Sequence, residues 1–243
     1  MPPLSTSVPH ELPDAIAALR RNHGRPQPLP TTDPFELVLL ENVAYLASAA
    51  RRREAFDLLR RTIGTTPEAI IGAPRAALER VAAHGILKER FADKLRLCAQ
   101  VAMEAWGGDP DQALRGTVES TRRALRRFPG IGEPTADKIL LFSGRLACLA
   151  PESNGLRVLG RLGWVDEREP YARRYRASLD VQRQLPAEIP ALQEAHLLLQ
   201  QHGQMLCRRT SPRCGECPLA GGCAHVLGVR RAGSRGPQSS AGG

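Results

Sequence analysis

Four cysteines near the C-terminus constrain this chain more than any other feature. Cys207, Cys214, Cys217 and Cys223 follow the spacing C-x6-C-x2-C-x5-C in the segment CRRTSPRCGECPLAGGC. Four thiolates on one short loop can surround a single metal centre, and sets of this kind hold zinc or an iron–sulfur cluster. Pro212 and Pro218 stiffen the path between them. The other use of cysteine, disulfide pairing, belongs to oxidising compartments. The N-terminal MPPLSTSVPH lacks the basic start and apolar run of a secretory signal, and no apolar stretch is long enough to span a membrane. The chain therefore reads as cytoplasmic and free of the membrane, with its cysteines as metal ligands. Spacing alone does not choose between zinc and iron. Cys98 and Cys148 lie in apolar stretches and read as small core residues.

The rest of the chain reads as helical. Hydrophobic residues make up 42% and aromatics only 4%, so the core must be built from Leu, Ala, Val and Ile. That composition suits helices better than sheets. A helical pattern at Glu11–Asn22 ends at Gly24, and residues 25–33 read as a linker. Asp33 can cap a helix whose first turn holds Pro34. Apolar residues then recur at helical spacing from Phe35 to Arg61, as two helices, and Thr65-Thr66-Pro67-Glu68 restarts the pattern with a good cap. Further helices are expected at 75–83, 88–105, 117–127, 134–145, 153–162, 168–184 and 190–206. No alternating β pattern appears, so the fold class is all-α. The Gly/Ser/Arg-rich tail from Ala224 is expected to be disordered.

The net charge of +9 comes almost entirely from arginine, the only lysines being Lys88, Lys94 and Lys138. A basic surface draws nucleic acid by releasing counterions, and arginine suits bidentate phosphate contacts. Charge alone is equally met by an arginine-rich protein with no such partner. The segment RRALRRFPGIGEPTADKILLF, residues 122–142, is more specific. One helix ends at Phe128, Pro129-Gly130-Ile131-Gly132 forms a tight turn, and a second helix begins near Pro134 with its N-terminal amides facing outward, as a phosphate requires.

This segment resembles the helix–hairpin–helix pattern, in which LPG-[VI]-G is followed by TA, here Thr135-Ala136. Together with the cysteine spacing and the lead-in His202-Gly203-Gln204-Met205-Leu206-Cys207, it is similar to the endonuclease III family of base-excision repair glycosylases, over roughly residues 34–223. The resemblance implies two helical lobes and a [4Fe–4S] cluster on Cys207, Cys214, Cys217 and Cys223. One lobe spans 34–145 and ends in the hairpin. The other is a cluster lobe of 146–223, joined by the N-terminal tail and helix of 1–33, and 224–243 is the disordered tail. The partner implied is double-stranded DNA, bound by a monomer across the cleft between the lobes with Glu152 at its mouth. In a bacterium the protein would act on the nucleoid. Phosphate contacts are expected from Pro129, Gly130, Ile131, Gly132 and Thr135, which grip without reading sequence. The cluster loop would add Arg208, Arg209 and Arg213, and the basic run Arg122, Arg123, Arg126 and Arg127 reads either as phosphate-facing or as a solvated face.

The catalytic positions depart from the family pattern. Bifunctional members carry a Schiff-base lysine where this chain has Pro134, and Lys138 follows one helical turn later, as a pocket amine or a helix-stabilising side chain. A monofunctional glycosylase is therefore expected. Aligning Arg157-Val158 puts Glu152 at the place of the family's catalytic Asp, where a carboxylate stabilises the positive charge that builds on the sugar. Glu152 can equally cap the helix that starts near Ser153. Glu41 lies where the adenine-specific branch has its general acid, with Tyr45 on the same helix face, and a core or solvated role is the alternative. His84-Gly85-Ile86-Leu87 resembles the loop holding the wedge that fills the gap left by a flipped base, so Ile86 or Leu87 is the candidate unless buried in the core. The histidines show no ligand spacing. The rival readings are a non-catalytic DNA-binding iron–sulfur protein on the same scaffold and a zinc-knotted helical adaptor.

Overall fold

A computed structural model of the chain describes residues 11–109, 112 and 115–233. Among them every regular element is helical, and the one β-type contact is an isolated bridge between Tyr45 and Ile86. The chain divides into two compact units. Among the described residues, one takes Leu29–Leu146 and the other takes 11–28 together with 147–233.

In the unit of Leu29–Leu146, α2 (Pro34–Asn42) is buried almost all round, with Phe35, Leu37, Val38, Leu39 and Leu40 in the core. Its start is fixed by Asp33, whose Oδ1 accepts from Glu36 N at 2.7 Å, and by Pro34 in the first turn. Ser48 caps α3 (Ala49–Thr62) and Thr66 caps α4 (Pro67–Gly72) in the same way. Helix α5 (Arg75–Ala82) and α4 pack on the long α6 (Lys88–Trp106), which buries Phe91, Leu95 and Cys98. Helix α7 (Val118–Leu125), capped by Thr117, packs on α8 (Glu133–Phe142), which in turn meets α2.

In the other unit, α11 (Ile189–Met205) packs against α9 (Ser153–Arg161) and α1 (Leu12–His23), while α10 (Tyr171–Val181) packs on α9. The crossing of α11 and α9 depends on Gly203. A Cβ there would lie 2.7 Å from Asn154 Cβ and 2.8 Å from Asn154 O.

Several expected boundaries move, the helix expected at 134–145 ending at Phe142 among them, and two of the shifts have a local reason. The helix expected from 168 starts at Tyr171, because Arg168 folds back on Asp166 (Nη2 to Oδ2, 2.8 Å) in a turn before Pro170. That contact also holds the Asp166 carboxyl at about 2. The tail expected to be disordered from Ala224 instead begins with a helix, α12 (Ala224–Gly233). The short apolar set Ala224, Val226 and Leu227 sustains one more helical segment before the Gly/Ser-rich sequence, and residues 234–243 lie outside the described residues. No helix among the described residues is long and apolar enough to cross a membrane.

Candidate active site and cluster loop

Glu152 sits in the N-cap position of α9, and its carboxylate is surrounded by donors. Oε1 accepts from Asn154 N at 2.9 Å and Gly155 N at 3.0 Å. Oε2 accepts from Asn154 Nδ2 at 2.8 Å and lies 3.4 Å from Ser153 Oγ. The capping expectation is thus met, and the same bonds fix the carboxylate's orientation. The chain enters this loop under strain: Ala150 is buried yet has φ +45°. From Asn154 the network continues. Arg157 Nη2 donates to Asn154 Oδ1 (2.7 Å) and Gly203 O (2.8 Å), and Arg157 Nε donates to Cys207 O (2.8 Å). One arginine therefore ties the carboxylate loop to the first cysteine. Half-exposed Tyr171, at the start of α10, feels Glu152 electrostatically: burial raises its phenol pKa, Glu152 raises it further, and Arg174 opposes.

The cysteine loop wraps around Arg161, which is buried. Its Nη1 donates to Arg208 O (2.8 Å) and reaches Cys207 Sγ at 3.4 Å, and its Nη2 donates to Arg209 O (3.2 Å). Cys223 Sγ lies 3.2 Å from Arg161 O, and Cys217 Sγ lies 3.5 Å from His202 Nε2. All four cysteines are free thiols. Burial pushes the Cys207 thiol up against the pull of Arg161 and Arg157. Cys217 is pushed up to about 11, by burial first and then by Cys207, Cys223 and Cys214. Cys207, Cys214 and Cys217 are part-buried and Cys223 is buried, and four such sulfurs, as thiolates, would suit a cationic centre. No three His, Cys, Asp or Glu side chains among the described residues are gathered closely enough to hold a single metal ion. Of the arginines expected to face phosphate, Arg208 and Arg209 are exposed, while Arg213 is paired with Glu216 (Nη2 to Oε2, 2.6 Å).

In the hairpin, Gly130 takes φ +78° and is packed so closely that a Cβ would lie 3.0 Å from both Asn42 Oδ1 and Lys94 Nζ. Gly132 is the N-cap of α8 and has no side chain to accept from the first-turn amides. Ile131 is buried and serves the core, whereas Gly130 and Gly132 are exposed and Pro129 and Thr135 are part-exposed. Glu133 occupies the same first turn, where its charge suits the helix macrodipole and opposes a phosphate. Arg122 is drawn inward from the basic run: its Nε donates to the buried Asp137 at 2.6 Å, leaving Arg123, Arg126 and Arg127 exposed. Lys138 is 6% exposed, and its Nζ donates to Glu41 Oε1 at 2.7 Å, with Arg52 3.8 Å from the other oxygen.

The loops of the Tyr45–Ile86 bridge form an exposed apolar cluster. Leu46 is 72% exposed at φ +51° and Leu87 is 51% exposed at φ +56°; Tyr45 and Ile86 are exposed beside them. Gly85 makes the approach possible, since a Cβ there would lie 2.5 Å from Tyr45 N and O. Tyr45 stacks on Phe91, ring centroids 4.8 Å apart.

No protein-family model matches the chain. Endonuclease III of Thermotoga maritima is 22% identical over 210 residues, 86% of this chain and 89% of its own length. The adenine DNA glycosylase of Mycobacterium tuberculosis is 30% identical over 226 residues, 90% of this chain and 69% of its own length. This chain belongs to the endonuclease III-like DNA glycosylases. The solved structure of a non-covalent endonuclease III–DNA complex shares the fold, with a TM-score of 0.72 and 20% identity over 90% of this chain and 97% of that one.

For a DNA repair glycosylase of this family, sequence reasoning missed three features. Leu46 is one; it lies at the end of an apolar run and gives no local sign of its left-handed backbone. Tyr171 is another, brought near Glu152 only by the packing of α10 on α9. The third is the contact of His202 with Cys217, which the lead-in motif does not announce.

Proposed function

We propose that this DNA glycosylase is monofunctional. It hydrolyses the N-glycosidic bond of a damaged or mismatched base in double-stranded DNA, as a monomer, with Glu152 as the carboxylate beside the sugar. The observation that carries this reading is the set of donors around Glu152. A carboxylate oriented before the reaction stabilises developing positive charge without reorganising, which is where most electrostatic catalysis arises. The backbone supports the same reading. Among the described residues the non-glycine positions with positive φ are Leu46, Leu87, Ala150 and Ser211, which fall in the apolar bridge loops, the carboxylate loop and the cysteine loop. Each such position costs about 1–3 kcal/mol, and strain of this kind gathers at functional sites.

Pro134 has no amine, and the nearest lysine on α8, Lys138, is buried against Glu41. Proton donation from Glu41 to a departing purine would first require that pair to open. In this reading Glu41 serves as the counter-ion of Lys138 rather than as the general acid. The uncapped amides after Gly132, with Gly130, Thr135, Arg208 and Arg209, would take phosphates, and Leu46, Ile86 and Leu87 would fill the gap left by the extruded base. Cys207, Cys214, Cys217 and Cys223 would hold a [4Fe–4S] cluster, which supplies a rigid, electron-accepting centre that orders the loop.

The test is base release from duplex oligonucleotides carrying uracil, oxidised pyrimidines, alkylated purines, or adenine opposite guanine or 8-oxoguanine. The expected result is release from at least one duplex, with the strand intact until hot alkali. Strand cutting without alkali would overturn the monofunctional reading. No release from cluster-loaded protein that still binds the duplexes would overturn the catalytic one.

A further inference from the structure

We propose that a one-way hydrogen-bond relay, Asn22 to His23 to His202 to Cys217, delivers an N–H donor to one sulfur of the cluster and raises its reduction potential. The proposal rests on the reading of the four cysteines as [4Fe–4S] ligands. Asn22 Nδ2 lies 3.4 Å from His23 Nδ1, His23 Nε2 lies 3.0 Å from His202 Nδ1, and His202 Nε2 lies 3.5 Å from Cys217 Sγ. The two rings are tilted by 59° with centroids 5.3 Å apart.

The direction of every bond follows from the chemistry of the ends. An amide NH2 only donates, so His23 Nδ1 accepts and the His23 proton sits on Nε2. That proton points at His202 Nδ1, which must accept, so the His202 proton sits on Nε2 and faces Cys217. The other end demands the same arrangement, because a cysteine ligated to iron has no proton to give and its sulfur can only accept. Two independent ends therefore select one tautomer at each ring, as outer hydrogen bonds do for the ligands of metal sites.

Hydrogen bonds to cluster sulfurs withdraw electron density and favour the reduced state. His202 is buried on α11, and His23 is the last residue of α1. The consequence is specific: His23 touches no cysteine in the chain of bonds, yet it decides whether His202 offers Cys217 a proton or a lone pair. His202 and His23 are accordingly positioning residues for the cofactor.

The experiment is a measurement of the cluster's reduction potential by voltammetry in the wild type and four variants of the full chain, with iron and sulfide content determined on each sample. His23→Leu and His202→Leu remove the relay, while His23→Gln and His202→Gln place an amide N–H at the position of the ring Nε2. Fully loaded His23→Leu and His202→Leu are expected to shift to more negative potential, in the same direction, with the two Gln variants closer to wild type. A fully loaded His23→Leu protein with the wild-type potential would overturn the relay. Wild-type protein without four irons per chain would overturn the relay together with the cluster reading, and the iron content tells that failure from the first.

Discussion

Lys138 Nζ donates to Glu41 Oε1 across 2.7 Å, joining α8 to α2 through a nearly buried ion pair. This pair keeps the one amine of α8 engaged. Borohydride trapping with an abasic duplex is expected to yield no covalent protein–DNA adduct at Lys138, and Lys138→Met is expected to leave strand integrity unchanged. The same substitution removes the ammonium paired with Glu41 and should destabilise the fold by about 3 kcal/mol, the lower end for breaking a buried pair. Denaturant unfolding measures that loss.

Glu133 holds a negative charge on the amides expected to meet a phosphate. Glu133→Gln should tighten binding to undamaged duplex several-fold at low salt, while costing about 0.3–1 kcal/mol of stability through the lost helix-dipole interaction. Fluorescence anisotropy and thermal unfolding separate the two effects. Unchanged affinity would mean that phosphates do not approach the start of α8.

Leu46 and Leu87 hold left-handed backbone at exposed positions. Leu46→Gly and Leu87→Gly should each stabilise the protein by about 1 kcal/mol, since glycine carries no penalty there. The same variants should lose base release from duplex DNA. More stable and less active is the pattern expected of residues kept for function, and calorimetry beside the base-release assay reads it.

Glu36 is part-buried beside three partners. Burial alone would raise its pKa, but hydrogen bonds from Thr31, Thr65 and Arg60, with the Arg60 charge, bring it below its ordinary value of 4.5. A depressed folded-state pKa stabilises above the unfolded carboxylate's range and loses that contribution as pH falls through the folded value. Glu36→Gln should therefore flatten the acid limb of the stability curve while lowering stability at neutral pH, as seen in denaturant midpoints measured across that range.

Much of this was legible in the sequence because local signals carried it. Asp33-Pro34 and Thr66-Pro67 mark helix starts with their own capping chemistry, and the four cysteines lie on one loop. Glu152 could be placed through Arg157-Val158, and Arg157 proves to anchor that loop to Cys207. What could not be read depends on partners distant in the chain. Glu41 and Lys138 meet through the packing of α2 on α8, and His23 meets His202 through that of α1 on α11. Arg122 was readable as phosphate-facing because nothing nearby in sequence announces Asp137 as its partner. The leucines at 46 and 87 carry no mark of their positive φ, which tertiary contacts impose.

In the proposed reaction the Glu152 carboxylate drives base release. Single-turnover release from the preferred duplex, wild type beside Glu152→Gln, tests it directly. The Gln oxygen can still cap α9, so the fold, the iron content and DNA binding should persist while release falls by about a hundredfold or more, the scale of losing one preorganised electrostatic group. A Glu152→Gln protein that binds DNA and releases the base at the wild-type rate would contradict the account.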